Sequence, residues 1–106
     1  MRVLFDQGTP APLRQSLAHH EVATAYELGW STLKNGELLE AAERADFAVL
    51  VTTDLNLRYQ QNLISRRIAV VVLSTPSWPR VQGAIEEVVK AVGAASPGSY
   101  AEVRIP

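Results

Sequence analysis

Continuous apolar runs alternate with amphipathic segments along the chain, a pattern that predicts strands separated by helices. Three runs show no polar alternation, as expected of strands buried on both faces of a parallel sheet. They are residues 3–5, 48–52 and 68–73. Residues 21–24 form a further short strand of undetermined direction, and 94–106 form a C-terminal tail or edge strand.

Helical spacing of apolar residues predicts the intervening helices. A short helix begins after Thr9 as N-cap, with Pro10 at its first position, and ends near His19. Asn35 is the predicted N-cap of the next helix. The apolar residues of this helix form a stripe on one face, and its acidic residues lie off that stripe. That stripe is Leu38, Leu39, Ala42 and Ala45.

Two more helices follow, one over about 57–65 and a long one from Trp78 to Gly93, while residues 26–30 form a loop. Strands alternating with helices favour βαβ units with right-handed crossovers. The predicted fold is therefore a three-layer α/β/α arrangement around a mainly parallel sheet of four to five strands.

Composition limits the number of domains and the kinds of chemistry that the chain can support. The 106 residues suit one domain spanning 1–106, and 47% hydrophobic with 20% charged residues is typical of a folded chain. A net charge of −1 offers no general attraction to polyanions, so nucleic-acid binding would need local cations. The absence of cysteine excludes disulfides, zinc thiolate sites and thiol catalysis. With no signal peptide or membrane span in the pattern, a cytoplasmic location is the expectation.

Acidic residues stand where two predicted strands end. Asp6 and Asp54 each follow an apolar strand, so parallel strands would bring both carboxylates to one edge of the sheet. Glu37, in the first turn of a helix, is the natural third acid. Three close carboxylates attract a divalent cation, and oxygen ligands suit Mg²⁺ or Mn²⁺. The chemistry that this predicts is metal-dependent phosphodiester hydrolysis.

Each acid also has an ordinary structural interpretation. Asp54 suits a helix N-cap, Glu37 a first helical turn and Asp6 the start of a turn. For Asp54 alone the structural and the functional interpretations are about equally strong, and for Glu37 and Asp6 alone the structural one is the stronger. Together the three residues favour a site.

Three motifs resemble the PIN-domain nuclease superfamily, most closely a small bacterial PIN-like family of unknown function. They are F5-D-Q-G-T-P10, E27-L-G-W-S-T-L-K-N-G-E-L-L39 and V51-T-T-D-L-N-L-R-Y-Q-Q-N-L63. The resemblance implies a PIN-like fold and an Mg²⁺ or Mn²⁺ site formed by Asp6, Glu37 and Asp54. It also implies ribonuclease activity, often as the toxin of a toxin–antitoxin pair restrained by an antitoxin-like protein.

The sequence departs from that family at Asn56, which stands where PIN nucleases generally carry a fourth acid. Asparagine can still ligate or hold a water through its carbonyl, but it removes one negative charge and weakens metal binding. A PIN-like module that acts by binding a partner protein is therefore the alternative to an active enzyme. A phosphoacceptor receiver domain ranks last, because Asp6 is a lone acid where that fold expects a pair.

Other polar and aromatic residues near the motifs have predicted supporting roles. Arg58, Lys34 and Arg14 could contact phosphates of single-stranded RNA, although solvated surface charge is the commoner role. The residues expected to support the acidic site through hydrogen bonds are Gln7, Asn56, Gln60 and Gln61. Tyr26, Tyr59 and Trp30 could stack unpaired bases, cap a small core or bury an aromatic patch in a homodimer.

Overall fold

The computed structural model describes residues 1–57, 62–63 and 65–106. Within them, a five-stranded sheet has the order β2-β1-β3-β4-β5, and every neighbouring pair is parallel. The strands are β1 (Arg2–Phe5), β2 (Glu21–Thr24), β3 (Val49–Thr52), β4 (Ala69–Leu73) and β5 (Tyr100–Val103). The mainly parallel sheet is confirmed, and β2, whose direction the sequence left open, runs parallel to β1.

Helical segments cover both faces of the sheet. They are a 3-10 helix (Ala11–Leu17), α1 (Asn35–Arg44), α2 (Trp78–Gln82) and α3 (Ile85–Gly93). Successive residues of a strand point to opposite faces, so β1 contributes Val3 and Phe5 to one core and Leu4 to the other. The first core also contains Val88 of α3, and the second contains Leu39 of α1. The predicted three-layer α/β/α arrangement is confirmed.

The last predicted helix is two helices. The single helix from Trp78 to Gly93 was a wrong prediction, because the chain leaves α-helical geometry between α2 and α3. The amides of Gly83 and Ala84 donate to the carbonyls three residues earlier, and Ala84 has φ −126° and ψ 26°. Glycine has the lowest helix propensity after proline, so a break costs little here. The break leaves Val81 and Val88 both buried against the sheet.

Two predicted helix caps were also wrong. Pro10, not Thr9, is the N-cap of the 3-10 helix, and Lys34, not Asn35, is that of α1. In both cases the polar side chain forms a hydrogen bond to a distant part of the fold, as described below.

The predicted helix over about 57–65 falls largely on residues outside the described ranges. No helix in the described part of the chain is long and apolar enough to cross a membrane.

Candidate acidic site

The candidate site lies at the carboxyl ends of β1 and β3. These strands are neighbours in register, with Phe5 opposite Val51. Asp6 directly follows β1, Thr52 is the last residue of β3, and Asp54 comes two residues later. Parallel pairing therefore brings both aspartates to one edge of the sheet, where ligands bind in open α/β folds.

Asp6 is held by three donors from two segments of the chain, the turn after β1 and the end of β3. Its Oδ1 accepts from the Gly8 amide at 3.1 Å and lies 2.9 Å from the Thr9 hydroxyl. Its Oδ2 accepts from the Thr52 hydroxyl. Thr9 is buried, and its single proton is shared between Asp6 and the Val51 carbonyl at 2.8 Å. These bonds fix the Asp6 carboxylate against both β1 and β3.

Thr52 connects the two aspartates. The residue is 2% exposed. Its hydroxyl donates to Asp6, and the Asp54 amide donates to the same oxygen at 3.1 Å. Because this buried hydroxyl both donates and accepts a hydrogen bond, its polar atom is not left without partners. It also orients the Asp54 backbone relative to the Asp6 carboxylate.

Asp54 receives hydrogen bonds from both sides. Its Oδ1 accepts from the Asn56 amide at 2.9 Å, and its Oδ2 accepts from Asn35 Nδ2 at 3.0 Å. The first bond is an Asx turn, which stabilises the chain as it leaves β3. The second joins the site to the start of α1, so the Asn35 side chain connects two elements rather than capping its helix.

Glu37 is placed differently from the two aspartates. Its Oε1 accepts from the Lys34 amide at 3.2 Å, a bond that stabilises the first turn of α1. The exposed Glu37 side chain lines a groove of about 490 Å³ with Trp30, Leu33 and Arg44. Asp6 lines a separate cavity of about 330 Å³, together with Gln7, Thr24 and Tyr26.

The donor set fits a hard divalent cation in part. A carboxylate offers about four lone-pair positions. Within the described residues, protein donors occupy three of these positions on Asp6 and two on Asp54. Both carboxylates therefore retain lone pairs that can bind a cation. Two oxygen-donor side chains with several waters suit Mg²⁺ or Mn²⁺. Within the same described ranges, no group of three or more His, Cys, Asp or Glu side chains is arranged to hold a metal ion.

Gly8 allows the two strand ends to approach each other closely. A Cβ at this position would collide with Thr53 Oγ1 and would lie near the Asp6 carboxylate. The missing side chain therefore permits the turn after β1 to pack directly on the segment after β3.

Several predicted supporting residues lie near this site. Gln7 is exposed in the Asp6 cavity, and Asn56 contacts Asp54 through its backbone. Lys34 is exposed at the start of α1, beside Asn35. Arg14, a predicted phosphate contact, pairs with Glu27 and donates to the Val22 carbonyl at 2.9 Å. The predictions for Arg58, Tyr59, Gln60 and Gln61 lie outside the described residues.

Three residues of the site were missed as contributors to it: Thr9, Thr52 and Asn35. Thr9 and Asn35 were interpreted as helix caps, and Thr52 as one more residue of a buried strand. The T52-T-D54 sequence does contain a signal, because a hydroxyl at a buried strand end needs a partner. Only the register of β1 against β3 identifies Asp6 as that partner.

The fold and the site define the chain as an α/β protein with paired aspartates at a parallel sheet edge. No family model matches the chain, and comparisons with curated proteins and with solved structures find no significant match.

Proposed function

We propose that this protein is a PIN-like, Mg²⁺- or Mn²⁺-dependent ribonuclease, with Asp6 and Asp54 as the central metal-binding acids. The observation that supports the proposal most directly is the junction at Thr52, which holds the two carboxylate-bearing segments at the carboxyl edge of the sheet. Glu37 is the proposed third acid, and its role stays a prediction.

The residues of the site would act mainly by positioning. Asp6 and Asp54 would hold a divalent ion, which would supply Lewis acidity toward a phosphate oxygen and would lower the pKa of a bound water. Thr52, Thr9 and Gly8 keep the Asp6 carboxylate from rotating, and Asn35 does the same for Asp54. Carboxylates held in advance need little reorganisation when substrate binds.

The test is cleavage of a fluorescent single-stranded oligoribonucleotide by the purified chain with Mg²⁺ or Mn²⁺. We expect cleavage that chelation abolishes, and a loss of roughly 100-fold or more in Asp54→Asn and Asp6→Asn, the scale of losing a group that stabilises the transition state. Asp46→Asn is the matched control, because Asp46 is exposed before β3, at the opposite end of that strand. Cleavage that persists in Asp54→Asn, or in excess chelator, would contradict the proposal.

A PIN-like binding module that acts through a partner protein is the second candidate. It is favoured by the protein donors that both Asp54 oxygens already accept, and by the position of Glu37 in a different groove from Asp6. An antitoxin-like protein is the partner class that the family resemblance suggests. Chelator-sensitive cleavage by the isolated chain would remove this candidate, whereas a folded protein that cleaves no RNA would favour it.

A further inference from the structure

Tyr26 is an exposed aromatic residue on the turn that follows β2. The residue is 79% exposed, the highest value among the large hydrophobic residues exposed in the described ranges. A single exposed aromatic residue needs no functional explanation. Two further observations distinguish this residue: the hydrogen bonds that hold its turn and the cavity that it lines.

Hydrogen bonds hold the turn that carries Tyr26 at both ends. The Thr24 amide donates to Glu27 Oε1 at 2.9 Å, and the Glu27 amide donates to Thr24 Oγ1 at 3.1 Å. The Ala25 amide donates to the Phe5 carbonyl at 2.8 Å, and the Trp30 amide to the Ala25 carbonyl at 2.8 Å. The backbone on either side of Tyr26 is therefore hydrogen-bonded to β1 and across the turn.

An ion pair between Arg14 and Glu27 adds to this anchoring. Arg14 Nη1 donates to Glu27 Oε2 at 3.2 Å, and Arg14 Nη2 bonds both Glu27 Oε1 and the Val22 carbonyl. The turn is thus connected to the 3-10 helix and to β2. A side chain on a preorganised turn loses less conformational entropy when a ligand binds it.

Tyr26 lines the same cavity as the proposed catalytic acid. This cavity, of about 330 Å³, is lined by Asp6, Gln7, Thr9, Ala11, Thr24 and Tyr26. Its volume falls in the range of small-ligand sites. A ligand whose planar group stacks on Tyr26 would therefore have its neighbouring atoms next to Asp6.

We propose that Tyr26 is a substrate-binding residue that stacks on an unpaired nucleobase of single-stranded RNA, next to the phosphodiester at Asp6. This inference rests on the proposed ribonuclease function, which supplies the substrate class. Base stacking on an exposed aromatic ring tolerates any base and requires an unpaired strand. It therefore adds affinity without sequence preference, in a chain with no net positive charge to attract RNA.

The test compares binding of a fluorescent single-stranded oligoribonucleotide by fluorescence anisotropy, with all variants in the Asp54→Asn background to prevent cleavage. We expect Tyr26→Ala to raise Kd by roughly 5- to 150-fold, the range for losing one stacked base. Tyr26→Phe retains the ring and should bind within about 2-fold of the parent, since stacking needs only the π face. Leu28→Ala is the matched control, because Leu28 is exposed on the same turn but does not line the cavity.

A second probe separates base from phosphate contacts. An oligomer of the same length that lacks its bases should bind the parent and Tyr26→Ala with equal Kd. Equal Kd values for the natural oligomer in the parent and Tyr26→Ala would overturn the inference, as would a failure of every variant to bind it. The cleavage assay is independent of this comparison: absence of cleavage with a Tyr26-dependent Kd overturns the proposed catalysis and leaves the stacking role supported.

Discussion

At the residue scale, Asp46 carries backbone strain that the sequence does not reveal. Its φ of 64° is the one positive value for a non-glycine residue in the described ranges. It follows the last turn of α1, where the Asp46 amide donates to the Glu43 carbonyl and the Phe47 amide to the Ala42 carbonyl. This pair of bonds is a Schellman motif, whose left-handed position glycine occupies most often. An aspartate there costs free energy because its Cβ crowds the backbone.

Replacing Asp46 by glycine should therefore stabilise the protein by about 0.5–1 kcal/mol, since glycine adopts positive φ without the Cβ penalty. The measurement is the free energy of unfolding from urea titration. Asp46→Asn is the control, because it removes the unfavourable negative charge at the helix C-terminus but keeps the Cβ. Equal stabilisation by both substitutions would assign the effect to charge and contradict the backbone explanation.

The acidic site also shows which residue-level features the sequence reveals. The positions of Asp6 and Asp54 at strand ends follow from local apolar runs, so their meeting could be predicted. The bond from Thr52 to Asp6 spans 46 positions of the chain, and the bond from Asn35 to Asp54 spans 19. Such contacts depend on strand order and register, which no local pattern specifies.

At the scale of elements, Glu43 fastens α1 to the segment that enters β4. Its Oε1 accepts from Arg66 Nη1 and its Oε2 from the Arg67 amide, both at 2.7 Å. The side chains of Glu43 and Arg66 are 13% and 24% exposed. Burial opposes ionisation of Glu43, but the bonds from Arg66, Arg67 and Ile68 outweigh it and lower its pKa. The pair therefore stays charged and connects two elements separated by more than 20 residues.

Glu43→Gln should destabilise the protein by about 1–2 kcal/mol, because it weakens charge-assisted hydrogen bonds in a largely buried place. Urea unfolding measures this change. Glu40→Gln, on the same helix, is the matched control: its ion pair with Arg44 is mostly exposed and should contribute under about 0.5 kcal/mol. If the two substitutions cost the same, the proposed role of Glu43 in fastening α1 is wrong.

At the scale of the whole molecule, three titrating groups make stability depend on pH in one direction. Hydrogen bonding from Arg14 is the main cause that lowers the pKa of Glu27 to about 2. The pKa of Glu43 is also lowered, and burial, the N-terminal ammonium and His19 lower that of His20. In each case the unfolded chain binds protons more readily than the folded one, so stability falls as pH falls.

We expect the free energy of unfolding to decrease first as pH falls through about 6.5, where His20 titrates in the unfolded chain. It should decrease further between the ordinary glutamate pKa of 4.5 and about 2, where Glu27 loses its charge. Urea unfolding at several pH values measures both steps. Glu27→Gln should flatten the acidic step, whereas Glu86→Gln, at an exposed position on α3, should leave it unchanged. An acidic step that persists unchanged in Glu27→Gln would contradict the assignment.

The sequence by itself determined the fold class, because continuous apolar runs identify strands buried on both faces and amphipathic spacing identifies the helices between them. It also identified both aspartates at strand ends. Only the tertiary structure decided the break in the last helix, where packing of Val81 and Val88 on the sheet outweighs helical continuity through Gly83. Likewise, only the pairing of β1 with β3 showed that Thr52 joins the two aspartates and that Glu37 lies in another groove. Local patterns determine local structure, whereas side-chain contacts between distant segments follow from the three-dimensional arrangement of the strands.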